Sequence, residues 1–316
     1  MKSTDLRHVM KPYNPSAALR VTRAMQHQVK GESPLSGCAL YNETTLSSLP
    51  PDFLLNELSH KRSVMSNLED TQCAPKIVQL IVDQLKRLPN DDSICREFAV
   101  EQEAVPDRDV RVEGTMSDIT NAVFNGKWCM NILVFLSRYP HAKRAPLILQ
   151  IANGMKLLHE ADIVHRSIFP GNILINDTGA PFAMLANTGI YPAVQEFLPT
   201  TVTVSLSEHD LYKSPKSNDL EEITNTIEKL QLNKKLDLYS LTVSIYSIYE
   251  GAAPFQNDRT LPGLLQKVTY VMLQGHCGLQ KPVVMPDGLW DVLQRCWKDD
   301  PSMTIDEVIR VCEANL

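Results

Sequence analysis

The segment from Leu238 to Glu250 constrains this chain most. Leu238, Leu241, Val243, Ile245, Ile248 and Tyr249 fall on several sides of a helix and leave no wide polar face. A helix that is apolar nearly all round has to be surrounded by other elements. No apolar run in the chain approaches the roughly 18 residues that would span a bilayer. The segment is therefore expected at the buried centre of a globular domain. A chain of 316 residues is long enough to build that surround, as one large domain or two small ones.

Composition narrows the function classes. The apolar share of 43% is that of a globular protein. A net charge of -6 argues against a nucleic-acid surface, because phosphate binding needs a dense basic field. Met1 to Pro15 carries Lys2, Asp5, Arg7, His8 and Lys11 with no apolar block behind them, unlike a signal peptide. The seven cysteines form no Cys-x-x-Cys pair, and the eight histidines do not cluster near them. Free buried thiols in a reducing cytoplasm are expected, not disulfides or zinc.

Residues 1–51 are rich in Ser, Thr, Pro and mixed charge and read as a mostly irregular arm. Residues 52–93 read as a helical segment. Phe53, Leu54, Leu58, Val64, Met65 and Leu68 can share one face; after Pro75, Ile77, Leu80, Ile81, Leu85 and Leu88 follow helical spacing until Pro89-Asn90-Asp91. Such a pair of helices suggests a hairpin, either plainly structural or a docking module. Residues 94–123 carry the weakest signal, with short strands at Phe98-Ala99-Val100 and Val110-Arg111-Val112 and a turn at Val105 to Arg108. From residue 124 the pattern sharpens. A short helix carries Ile132, Leu133, Phe135 and Leu136, and an amphipathic helix follows Pro146 through His159. Ile163-Val164 and Asn172 to Ile175 read as strands, with a turn at Asn176-Asp177-Thr178-Gly179. Further helices are expected over Leu264–Gln274, Leu289–Lys298 and Thr304–Ala314, the last opened by a Thr304-x-x-Glu307 capping box.

The most telling run is His165-Arg166-Ser167-Ile168-Phe169-Pro170-Gly171-Asn172-Ile173-Leu174-Ile175. It resembles the catalytic loop of protein kinases, His-Arg-Asp-Leu-Lys-Pro-x-Asn followed by an apolar strand. Other fragments resemble the same family in the same order. They are Phe124-Asn125-Gly126, Gln150-Ile151-Ala152-Asn153-Gly154-Met155 with Leu158-His159, and Leu236-Asp237-Leu238-Tyr239-Ser240. Gly251-Ala252 with Pro254-Phe255, Leu289-Trp290 to Arg295-Cys296-Trp297, and Asp300-Pro301-Ser302 complete the series. Residues 124–316 thus resemble the large C-lobe of a kinase of the tyrosine-kinase-like serine/threonine group. The resemblance implies a mainly α (α+β) fold: a helical C-lobe behind a truncated or vestigial N-lobe at 94–123.

The departures bear on chemistry. Phosphoryl transfer needs phosphates clamped, a metal held and the nucleophile's proton accepted. No Gly-x-Gly-x-x-Gly loop precedes the C-lobe-like region, and no Val-Ala-x-Lys strand is found; Lys76 and Lys86 lie on a helix. The loop Asp is Ser167 and the loop Lys is Phe169. A serine hydroxyl is no base near neutral pH, and as a nucleophile it would need a base of its own. In kinases the residue at His165 points into the core. The metal-binding Asp-Phe-Gly resembles Asn187-Thr188-Gly189, slightly further from Asn172 than is usual. A neutral amide lacks the carboxylate charge that magnesium relies on.

Ser214-Pro215-Lys216 stands where the family has Ala-Pro-Glu. The Arg that pairs with that Glu is also missing, because Met303 runs straight into Thr304. Losing both halves of a buried pair costs far less than losing one. Leu220 to Ile223 and Ile227 to Leu230 form an insertion expected to make an extra helix. Asp237 is expected to cap the helix that it starts and, by the resemblance, to anchor the catalytic-loop backbone.

The resulting expectation is a pseudokinase without competent ATP/Mg phosphotransfer, cytoplasmic, with a protein partner such as another kinase or signalling protein, and neither nucleic acid nor membrane. Ser167, Asn172 and Asn187 are the kinase-equivalent positions, none expected to be active; His165, Arg166 and Asp237 are expected to be structural. Trp290 and Trp297 are expected as core anchors. The alternative is an active serine/threonine kinase using ATP and magnesium through displaced residues.

Overall fold

The computed structural model describes residues 36–42, 46, 64–65, 74–103, 129–176, 180–190, 193, 203–204, 207–221 and 223–316. Several expectations fall outside these: most of the arm, the helix through Phe53, Leu54, Leu58 and Leu68, the turn and strand over 105–112, Phe124-Asn125-Gly126, and the turn residues 177–179. Residues 37–102 and 111–316 form one unit, which carries the helical core and the loop from His165 to Asn172.

The fold is mainly helical with a small sheet. The helices among the described residues are α1 (Ala74–Arg87), α2 (Ile132–Arg138), α3 (Arg144–Glu160), α4 (Thr226–Glu250), α5 (Leu264–Gln274), α6 (Asp287–Trp297) and α7 (Ile305–Glu313). The strands are β1 (Ser36–Tyr41), β2 (Val64–Met65), β3 (Phe98–Glu103), β4 (Cys129–Asn131), β5 (Ile173–Asn176), β6 (Phe182–Leu185) and β7 (Thr203–Val204). Five of them form one sheet in the order β3-β1-β4-β5-β6, and β2 pairs with β7.

The apolar segment Leu238 to Glu250 is central, as its composition requires. Leu241, Val243, Ile245 and Ile248 on α4 are all fully buried. The helix is longer than the apolar pattern alone suggests. It starts at Thr226, where Asn225 Oδ1 accepts from Ile227 N (2.9 Å) and Glu228 N (3.2 Å). It ends at Gly251, whose φ of 77° is the left-handed turn that favours glycine. The second half of the expected extra helix is therefore the exposed first turns of α4. Of the first half, Leu220 and Glu221 end a 3-10 stretch, Pro215–Glu221, Glu222 lies outside the described residues and Ile223 belongs to no helix.

Around α4 the layers follow the helical spacing of the sequence. On α3, Leu147, Ile148, Ile151, Ala152, Met155 and Leu158 are buried, and α7 packs along it. On α6, Trp297 is buried and its Nε1–H donates to Thr242 Oγ1 at 3.1 Å. Trp290, half-buried, meets the Trp297 ring edge-on at 5.6 Å. At the start of α7 the capping box does not form. Thr304 makes no side-chain cap, and Glu307 turns to Arg310 (3.0 Å) and Arg295 (3.4 Å), because ion pairs outcompete a neutral backbone donor.

Three segments differ from the sequence reading. Ser36–Tyr41, within the stretch read as an irregular arm, is a strand with Cys38 opposite Cys129 on β4. Val64–Met65, assigned to a helix face, is a strand opposite Thr203–Val204. Both follow from strand partners remote in sequence, which a local period does not register. Ile163-Val164, read as a strand, has no ladder; it is a connection whose Ile163 N–H bonds Leu158 O at 2.9 Å.

Helix α1 is not a free-standing module. Ile77, Ile81, Val82 and Leu85 join the same apolar core as α3 and α4. The segment after α1 runs beside β6, with Leu185 N–H bonded to Ser93 O and Cys95 N–H to Leu185 O, each at 2.8 Å. Gly154 on α3 permits this approach: a β-carbon there would stand 2.8 Å from Ser93 Oγ. Of the described cysteines, Cys95 and Cys129 are buried, Cys296 and Cys312 are free and buried, and Cys277 is free and exposed.

Candidate functional site

The loop from His165 to Asn172 is held from below by Asp237. Because α4 begins a full eleven residues earlier, Asp237 does not cap it. Its carboxylate instead accepts from His165 N (2.6 Å) and Arg166 N (2.7 Å), and His159 Nε2 lies 3.1 Å away. These bonds fix Arg166 in the left-handed region at φ 58°, a conformation that costs a non-glycine residue about 1–2 kcal/mol. His165 is fully buried, with Nδ1 accepting from Ser167 N at 3.3 Å. Its Nε2 has no hydrogen-bond partner among the described residues. Burial pushes its pKa down to about 4, although Asp237 pulls the other way. His165, Arg166 and Asp237 all sit in this buttress.

Above it, Ser167, Asn172 and Asn187 come together. All three are buried. Asn172 Nδ2 donates to Ser167 O (2.8 Å) and Ser167 Oγ (3.2 Å). Asn172 Oδ1 accepts from Asn187 Nδ2 at 3.1 Å. Asn187 Nδ2 also donates to Ala99 O at 3.0 Å, and its Oδ1 accepts from Ala99 N at 2.9 Å. Asn187 has φ 60°, which asparagine tolerates better than most residues. The four amide N–H bonds of the two asparagines thus all point to protein oxygens.

A kinase fold implies magnesium bound near these positions. The residues present do not fit it. The candidate oxygens, Asn172 Oδ1 and Asn187 Oδ1, are neutral and already accept hydrogen bonds. A hard cation needs several free oxygen ligands, normally with carboxylate charge. Among the described residues no group of three His, Cys, Asp or Glu side chains could hold a metal. Lys76 and Lys86 are exposed on α1 and do not supply a phosphate-facing ammonium.

His209 joins the site without a signal in the sequence. Its Nε2 lies 3.5 Å from Ser167 Oγ, the outer limit of a hydrogen bond. The Phe169 ring meets His209 edge-on at 4.9 Å and Tyr212 at 6.1 Å. Phe169 folds over Gly171, where a β-carbon would lie 2.5 Å from the ring. The histidine sits on the 3-10 stretch Glu208–Tyr212, 42 residues from Ser167, so only the folded chain pairs them. Ser167 is 2% exposed. Its hydroxyl already accepts from Asn172 Nδ2 at 3.2 Å.

Lys216 finds an acid. Its ammonium pairs with Asp299, next to Asp300-Pro301, and both side chains are at least half-exposed. This is an exposed pair, and Asp299 is not the position after Met303 at which the family's Arg is missing.

Comparison with known proteins agrees with this architecture. Residues 115–307, more than half the chain, match the family described as protein tyrosine and serine/threonine kinase. The serine/threonine-protein kinase PkaA of Streptomyces coelicolor is 25% identical over 195 residues, covering 61% of this chain and 33% of that one. A probable serine/threonine-protein kinase of Clostridium perfringens is 24% identical over 234 residues, covering 71% and 31%. Human serine/threonine-protein kinase STK11 is 26% identical over 121 residues, covering 38% and 26%. The chain spans about a third or less of the length of these relatives. The helical core, the loop anchored by Asp237 and the matched stretch together place this chain in the protein tyrosine and serine/threonine kinase family.

Proposed function

We propose that this chain is a pseudokinase: a kinase-family domain that does not transfer phosphate and acts by binding. The observation that carries the reading is the buried amide chain through Ser167, Asn172 and Asn187. The positions at which the family accepts a proton and holds a metal are occupied here by neutral groups that satisfy one another. Loss of the base alone removes roughly 10²- to 10⁴-fold in rate, and the metal's electrostatic contribution would be lost besides. The Phe169–His209 contact further supports it, since an aromatic ring stands at the family's loop lysine and packs on the histidine beside Ser167.

The binding role is the complementary half of the reading. The partner is a protein, another kinase or signalling protein, met in the cytoplasm on the α4–α7 side. Leu265 and Leu273 on α5 are exposed there, at 61% and 73%. The net charge of -6 supports a protein over a nucleic acid.

The test is radiolabelled ATP with magnesium or manganese, alongside thermal unfolding with and without millimolar nucleotide. The expectation is no phosphate transfer above that of a Ser167→Ala control, and no shift in midpoint. Transfer that disappears on replacing one side chain of this protein would establish instead an active serine/threonine kinase with displaced catalytic residues.

A further inference from the structure

We infer that the Asn187 side chain is a latch that fastens strand β3 to the 165–172 loop without any ion. Its carboxamide treats Ala99 as a neighbouring strand would. It accepts from the Ala99 N–H and donates to the Ala99 carbonyl, at 2.9 and 3.0 Å, across 88 residues of sequence. The same nitrogen then donates to Asn172 Oδ1 at 3.1 Å, and Asn172 continues to Ser167. Two oxygens, Ala99 O and Asn172 Oδ1, therefore converge on one NH₂ group. In a buried place two facing acceptors need a donor or a cation between them, because neither has water to turn to. The asparagine amide is that donor.

The choice of residue matters for two physical reasons. At φ 60° only glycine, asparagine and aspartate are at ease. Of these, only asparagine has a side chain that both accepts from Ala99 N and donates to the two oxygens. Aspartate would place a carboxylate against Ala99 O and Asn172 Oδ1, creating an oxygen-only cluster of the kind that hard cations bind. Asn187 is thus a positioning residue that makes the seating of β3 independent of metal. The inference rests on the closed-site reading, but its measurement does not involve phosphate transfer, so the two can fail separately.

The experiment is hydrogen–deuterium exchange on the full chain, reading peptides that cover 98–103, 165–172 and α4, in chelator and in millimolar magnesium or manganese. In the wild type, β3 is expected to be protected equally in both conditions. Asn187→Gly removes the side chain and keeps the backbone conformation easy; β3 should exchange at least about tenfold faster while α4 is unchanged. Asn187→Asp should loosen β3 in chelator and regain protection with manganese, a response that a merely space-filling residue would not give. Unchanged exchange of β3 in Asn187→Gly, or an Asp variant as tight as wild type in chelator, would overturn the inference. Should the variants fail to fold, the wild type still decides: β3 protection that collapses in chelator overturns the latch, and protection that persists supports it.

Discussion

Replacing Asp237 by alanine tests how the loop is held. The carboxylate is 1% exposed and receives two backbone N–H groups and a histidine nitrogen. Hydrogen bonds to a charged acceptor contribute about 1.5–3 kcal/mol each, and a buried donor left unmet costs about 1–3 kcal/mol. The two backbone donors together therefore set a loss of roughly 3–6 kcal/mol. Release of the left-handed Arg166 at φ 58° returns part of that loss, because the carboxylate's hold on its N–H no longer imposes the strain. At about 2–4 °C per kcal/mol for a domain of this size, the unfolding midpoint should fall by roughly 6–24 °C. Urea unfolding followed by circular dichroism measures the free energy, and amide exchange over 163–168 locates it. Asp237→Asn keeps one acceptor but turns an NH₂ toward the other donor, so it should lose about 1–3 kcal/mol. An alanine variant within about 1 kcal/mol of wild type, with unchanged exchange at His165 and Arg166, would refute the argument that this side chain carries the loop.

Two more outcomes are set by the geometry. His165 and His276 are fully buried, and burial pushes both pKa values down from 6.5 to about 4. His276 bonds Tyr239 OH at 2.8 Å and Leu211 O at 2.7 Å; the Leu211 carbonyl favours the charged ring, and burial outweighs it. The unfolded chain binds a proton at each below pH 6.5 and the folded chain does not until about pH 4. Stability is therefore complete above 6.5 and declines as pH falls toward 4, by about 1.4 kcal/mol per unit per histidine. His276→Gln should flatten that slope by one proton in urea titrations; an unaltered slope would contradict it. For Lys216 and Asp299, exposure limits the pair to about 0.2–1 kcal/mol. Lys216→Glu should lose that much and the double exchange with Asp299→Lys should restore it, as measured by a double-mutant cycle; a loss of several kcal/mol would mean that the pair is not screened.

Much of the helical part was legible because apolar spacing of three and four residues is a local property. Helices α1, α3 and α5 fall close to where the pattern puts them, and α4 is central because an all-round apolar helix has to be enclosed. The site was legible in a different sense. The run from His165 to Ile175 identifies a loop by resemblance and names Ser167 and Asn172, and Asn187 is named by the separate Asn187-Thr188-Gly189 match. What the run does not reveal is that Asn172 and Asn187 bond each other, or that Asn187 also clasps Ala99. Those contacts join segments far apart in the chain. His209 was invisible for the same reason, and so was the Lys216–Asp299 pair.

The sequence alone pointed to a buried central helix and a kinase-like order of fragments, and by that resemblance to neutral residues at two positions where the family has carboxylates, since residue type and periodicity are written along the chain. The tertiary structure alone decided what those neutral residues bond. Hydrogen-bond geometry and burial depend on which distant segments meet, and here they make a closed amide network anchored on β3.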